Sequence, residues 1–246
     1  MRGRSVVLLS GGMDSATCLA EAVRAGPTVA LTVGYGQRHR RELESARSLA
    51  RHYRLRRHIE VELPLGEIAP SALTDPKVPV PRAGSFPGRI PPTYVPARNT
   101  ILLSLALALA ETTRAESIWL GINAVDYSGY PDCRPEFLRA FQRMTRWATR
   151  SGVGSRGPVR IRAPLLRLSK AEIVRRGDRF GVPFELTWSC YRGGRSPCGD
   201  CDACRLRALG FRQAGRVDPL RPGGARRRGD RLGAEHAPSG RQRDRG

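Results

Sequence analysis

A five-stranded parallel α/β sheet with helices on both faces, followed by a small four-cysteine knot, is the fold class that the sequence predicts. Three observations predict it. Short apolar and β-branched runs alternate with helical stretches of the length that links parallel strands. The first strand ends in a glycine-rich turn that opens straight into a helix. Four of the six cysteines crowd into residues 190–204.

Val6-Val7-Leu8-Leu9 reads as a buried strand, broken by Gly11-Gly12. Asp14-Ser15 then opens a helix running to Ala25, stopped by Gly26-Pro27. Such a turn suits a phosphate. Glycines admit close backbone approach, several N–H groups converge, and the helix dipole favours an anion. The turn lacks the lysine of G-x-x-x-x-G-K-[ST] and so is not a Walker A loop. Thr28 to Val33 is the second strand, Arg38 to Arg54 a helix, and Ile59 to Leu63 the third strand. Residues 64–96 are rich in Pro, Gly and Ser, and a loop of that length is expected to cover a substrate as a lid. An apolar helix from Thr100 to Thr113 leads into a fourth strand, Ser117 to Gly121. A polar segment, Asn123 to Arg134, precedes a helix from Pro135 to Thr149 with Phe137, Leu138, Phe141 and Met144 facing inward. Val159 to Arg162 is the fifth strand. Ser169 starts a helix through Phe180, with Glu172 completing a capping box. Ligands of such a sheet bind beyond the carboxyl ends of its strands.

The 246 residues divide into a nucleotide-binding domain at 1–186, a metal-binding segment at 187–213 and an arginine-rich tail at 214–246 that reads as disordered. No apolar run approaches the roughly 18 residues of a membrane span, and the N-terminal run is too short for a signal peptide, so a cytoplasmic protein is expected. The formal charge of +21 invites a nucleic-acid reading. Yet Lys77 and Lys170 are the only lysines, and the arginines are spread along the chain instead of forming one stripe. Nucleic acid is therefore not expected as the substrate.

Cys190, Cys198, Cys201 and Cys204 follow the pattern C-x₇-C-x₂-C-x₂-C. Four thiolates at this spacing suit one structural Zn²⁺ with no open position, an iron–sulfur cluster being the competitor and unligated core cysteines the plain alternative. Cys18 is expected in the core, and Cys133 as a pocket wall without a neighbouring base.

The turn Ser10-Gly11-Gly12-Met13-Asp14-Ser15 resembles that of the PP-loop ATP pyrophosphatases, which implies an adenine nucleotide alpha hydrolase-like, Rossmann-like sheet. With Tyr35-Gly36-Gln37-Arg38-His39, Val95-Pro96-Ala97-Arg98-Asn99, Ser128-Gly129-Tyr130-Pro131-Asp132-Cys133-Arg134 and the cysteine knot, in this order, the chain is similar to the 7-cyano-7-deazaguanine synthases over residues 5–211. It departs from them at Met13, where Gln is frequent, and in its arginine-rich tail.

The resemblance implies an ATP-dependent ligase that joins ammonia to 7-carboxy-7-deazaguanine and dehydrates the amide to a nitrile, in queuosine biosynthesis. It implies ATP with Mg²⁺ held along Leu9, Ser10, Gly11, Gly12, Met13, Asp14, Ser15, Ala16, Thr17, Cys18 and Leu19. Ser10, Asp14, Ser15, Arg98 and Lys170 are the expected catalytic residues. For Lys170 a solvated helix-start lysine is the plain alternative, and for Arg98 a surface ion pair. Gln37, Arg38, Asn99, Asp126, Tyr130, Asp132 and Arg134 are the expected substrate contacts. A homodimer is suggested by the resemblance only. A PP-loop enzyme acting on tRNA, or a zinc-ribbon module that binds ATP without chemistry, are the competing readings.

Overall fold

The computed structural model describes residues 3–123 and 129–220. Five strands, β1 (Ser5–Leu8), β2 (Thr28–Gly34), β3 (His58–Glu62), β4 (Ser117–Trp119) and β5 (Arg160–Arg162), form one sheet of order β3-β2-β1-β4-β5. All pairings are parallel, with Val6 opposite both Val29 and Ile118. Alternate side chains of one strand therefore enter different cores. Val7 and Trp119 pack with α1 (Met13–Ala25), α2 (Arg41–His52) and α7 (Lys170–Phe180) through Leu19, Leu49 and Ile173. Val6 and Ile118 pack with α4 (Arg98–Thr113) and α5 (Pro135–Ala148) through Leu103 and Phe141. The sheet is covered on both faces, as expected for an all-parallel sheet. Successive strands run outward from β1 in opposite directions, so a crevice opens beyond the ends of β1 and β4.

The long segment after β3 holds one turn, α3 (Leu65–Ile68), and is otherwise irregular. It is fastened down. The Arg38 guanidinium donates to the carbonyls of Ala72, Pro76 and Val78, and Ala72 N–H donates to Pro92 O. At its far end Ala83 N–H donates to Asp200 O and Gly84 N–H to the Asp202 carboxylate.

After α5 comes a single turn, α6 (Arg150–Val153), and the chain ends in α8 (Asp202–Gln213), which packs on α7. Gly210 lies so close to the first turn of α7 that a Cβ there would meet Lys170 at 2.7 Å. The chain does not leave the body at residue 214, as the composition suggests. Arg207, 4% exposed, binds the Asp218 carboxylate through Nε and Nη2, and Leu220 packs against the cysteine segment. A buried ion pair holds residues that carry no apolar periodicity of their own. Residues 221–246 lie outside the described ones.

One inward-facing assignment is corrected. Met144 is 37% exposed, whereas Thr145 is fully buried with its hydroxyl donating to carbonyls of Gln142 and Val159. The buried stripe of α5 is Leu138, Phe141 and Thr145, which leaves Met144 at its edge. Trp147 and Val153 lie beyond it, 75% and 66% exposed. No helix among the described residues is long and apolar enough to cross a membrane.

Candidate active site

The phosphate turn follows from the fold. β1 ends at Leu8, Leu9 is buried, and Gly11 turns the chain at φ 87°. A side chain at Gly11 would strike the carbonyl of Glu42 on α2, so only glycine lets the turn nestle against that helix. Gly12 caps α1 with no side chain over the first turn, leaving those amides to face a ligand. The Ser10 hydroxyl donates to Ser15 Oγ at 3.0 Å and accepts from Gly12 N–H, while Ser15 donates to Gly12 O. Trp188 N–H donates to Gly11 O, tying the cysteine segment to the turn.

A cavity of about 250 Å³ opens over this turn. Leu9, Ser10, Gly12, Met13, Asp14 and Ser15 form its floor. Ala16, Thr17, Cys18 and Leu19 lie beneath, buried in α1, where burial raises the Cys18 thiol well above its usual range. On one side Asp14 Oδ2 accepts from Lys170 Nζ at 2.6 Å and from Asn123 Nδ2 at 3.1 Å. Asp14 Oδ1 is buried with no hydrogen-bond partner among the described residues. A buried carboxylate oxygen left over in this way fits a hydrated cation.

Tyr35, Gln37, Glu42, Arg98 and Asn99 also line the cavity. The Arg98 guanidinium lies 5.3 Å from the Tyr35 ring centroid, with Nη1 donating to the Tyr35 hydroxyl at 3.4 Å. Burial pushes the Tyr35 phenol up to about 12, so it is a neutral hydroxyl at physiological pH. Gln37 accepts from Tyr35 N–H. Asn99 is held by the turn before α5: its N–H donates to the Asp132 carboxylate and its Nδ2 donates to Asp132 O and Cys133 Sγ. Tyr130 stacks on Tyr94 and shares a hydrogen bond with Thr93.

The expected site residues thus divide. Ser10, Asp14, Ser15, Gln37, Arg98, Asn99, Tyr130 and Lys170 meet in one cavity with Cys133 in its wall. Asp132 is buried and caps α4, Arg38 staples the long loop, and Arg134 is exposed at the start of α5, all three outside that wall. Asp126 lies outside the described residues. Sequence reasoning passed over Glu42, Asn123, Trp188 and Tyr191. Glu42 precedes the apolar stripe of α2 and looks like one more charged residue of a solvated helix face. It is half-buried in the cavity wall, and burial pushes its carboxyl up to about 7 against the opposing pull of Arg98 and with a smaller push from Cys190.

The four cysteine sulfurs all lie within 4.8 Å of one another, with Cys198 and Cys204 3.9 Å apart. Sulfurs around one tetrahedral ion with bonds of about 2.3 Å are separated by roughly 3.8 Å, so the cluster could hold a metal ion. Cys198 N–H points at Cys190 Sγ and Asp200 N–H at Cys198 Sγ, the amide contacts that thiolates require. Hydrogen bonds from Cys201 and Cys204 hold the Cys190 thiol well below its usual range.

An open glycine-rich turn at the switch point of a parallel sheet, with an acid–lysine pair beside it, is the arrangement of a PP-loop-like α/β protein. Residues 4–215 match the family described as queuosine biosynthesis protein QueC, and the chain belongs to that family of enzymes. It is 56% identical over 222 residues to the 7-cyano-7-deazaguanine synthase of Azoarcus sp. (strain BH72), covering 89% of this chain and 96% of that one. The synthase of Acetivibrio thermocellus is 51% identical over 218 residues, covering 88% and 96%. Among solved structures, NMN synthetase from Francisella tularensis is a distant likeness, with TM-score 0.47 and 16% identity over 88% of this chain and 78% of that one.

Proposed function

We propose that the chain is a carbon–nitrogen ligase that converts 7-carboxy-7-deazaguanine and ammonia to 7-cyano-7-deazaguanine at the expense of ATP. The observation that carries this reading is the shared cavity, lined both by an open phosphate turn and by the half-buried Arg98, whose guanidinium lies over Tyr35. A carboxylate resists ammonia because its leaving group would be oxide. Transfer of AMP to that oxygen supplies a leaving group, and the departing diphosphate must be stabilised. Ser10, Ser15 and the first amides of α1 grip the diphosphate, with Lys170 beside them. Arg98 neutralises the substrate carboxylate. Ammonia displaces AMP to give the amide. A second ATP activates the amide oxygen, and loss of that oxygen with AMP leaves the nitrile.

Asp14, through its free oxygen, would hold the Mg²⁺ that shields the phosphates. Cys190, Cys198, Cys201 and Cys204 would hold one structural Zn²⁺, since a closed four-thiolate site has no position for substrate. The working protein is placed in the cytoplasm, where thiols stay reduced. The names of the relatives favour this reading over action on tRNA. Mass spectrometry of the product tests it. Gain of one nitrogen with loss of both carboxylate oxygens, in an RNA-free mixture, is the expected result. Diphosphate release that requires added tRNA would overturn it.

A further inference from the structure

The reaction needs a proton acceptor that none of the roles above supplies. In neutral water ammonia is almost entirely ammonium, which has no lone pair. Each nitrogen that bonds to carbon must first lose a proton beside the activated carbonyl. That carbonyl carbon has to lie between the phosphate turn, which holds the departing group, and Arg98, which faces the carboxylate.

Among the described residues of the cavity walls, only Asp14 and Glu42 carry carboxylates. Asp14 is engaged by Lys170 and Asn123. Glu42 accepts no hydrogen bond and makes no ion pair among the described residues, although its main chain packs against Gly11 of the turn and Arg98 attracts it electrostatically. Its side chain lines the same cavity as the phosphate turn and Arg98, and no hydrogen bond or ion pair among the described residues engages its carboxylate.

We propose that Glu42 docks the ammonium ion and takes its proton, releasing ammonia onto the activated carbonyl. The proton passes from nitrogen to the Glu42 carboxylate. The freed lone pair forms the C–N bond, and the C–O bond to AMP breaks with its electrons leaving on the phosphate oxygen. The second proton, lost as the amide nitrogen becomes neutral, goes to water. This assignment rests on the ligase reading above. The proton-holding tendency of the half-buried carboxyl agrees with it, but its place in the cavity wall is what argues for it.

The partial reactions separate the two. The wild-type chain should exchange diphosphate into ATP when given 7-carboxy-7-deazaguanine alone, and absence of that exchange would overturn the ligase reading and this role with it. Glu42→Gln should keep the exchange within about 3-fold while ammonium-dependent amide formation falls about 100-fold or more, the usual scale for a lost general base. Hydroxylamine, uncharged at neutral pH, needs no base before it attacks and should restore product formation in the variant. Glu42→Asp should fall between the two, and carries the same comparison if Glu42→Gln does not fold. Undiminished use of ammonium would overturn the role of Glu42, as would a folded variant that loses exchange and hydroxylamine reaction together.

Discussion

Asp14 meets a cation on one oxygen and no partner on the other, and that asymmetry defines what single substitutions should do here. Lys170→Ala should leave the fold intact, since the capping box of Ser169 and Glu172 holds the start of α7 without it. Its kcat/KM should fall by roughly 100- to 1000-fold, the scale of removing one preorganised donor from a developing charge. Diphosphate release beside far-ultraviolet circular dichroism reads both outcomes. Glu42 gives a second expectation, on stability. The folded chain holds that proton up to about pH 7, whereas an unfolded one releases it near 4.5. The folded state therefore binds more protons in that interval and loses stability as pH rises through it, by roughly 3 kcal/mol from this group. Melting temperatures of the ligand-free protein between pH 4 and 8 should show a steeper decline for the wild type than for Glu42→Gln.

At the scale of elements, the structure turns on how the last helix is locked. Arg207 on α8 donates to Thr187, Phe184 O and Asp218, so three segments share one buried guanidinium. Removing its carboxylate leaves a buried charge half-satisfied. Asp218→Ala should cost roughly 3 kcal/mol, measured by urea denaturation. A chain ending at residue 220 should unfold like the full-length protein, and one ending at 213 should match Asp218→Ala. Equal stability of the two truncations would show that the ion pair does not hold α8. The same helix abuts Lys170 at Gly210, so loosening it is expected to disturb the Asp14–Lys170 pair before it disturbs the sheet.

For the whole molecule, the cysteine knot and the cavity are one structure. Trp188, Tyr191, Ala203 and Leu206 come from the knot segment and line the cavity, and the long loop after β3 is bonded to Asp200 and Asp202 beside it. Metal removal should therefore affect binding as well as stability. A chelator is expected to release one Zn²⁺ per chain, lower the melting temperature and weaken ATP binding together, as calorimetry and titration would show. Chelation that leaves nucleotide affinity intact would mean that the knot is a separate module. A visible absorbance band lost on treatment would instead mark an iron–sulfur cluster.

Features governed by contacts within a few residues were legible in the chain itself. The five strands, the glycine break before α1, the capping box of α7 and the spacing of four cysteines all follow from local periodicity and turn chemistry. Only the tertiary structure decided which charged residue faces which neighbour. Glu42 and Arg38 stand four residues apart in the same arginine-rich stretch, yet one turns into the cavity and the other staples a loop. Asp132 caps a helix more than thirty residues away, Met144 yields its inward place to Thr145, and Arg207 finds Asp218 in a stretch that composition marks as tail. The physical reason is the same in each case. Spacing along a chain sets the face on which a side chain emerges, whereas its partner is set by what another segment places opposite that face.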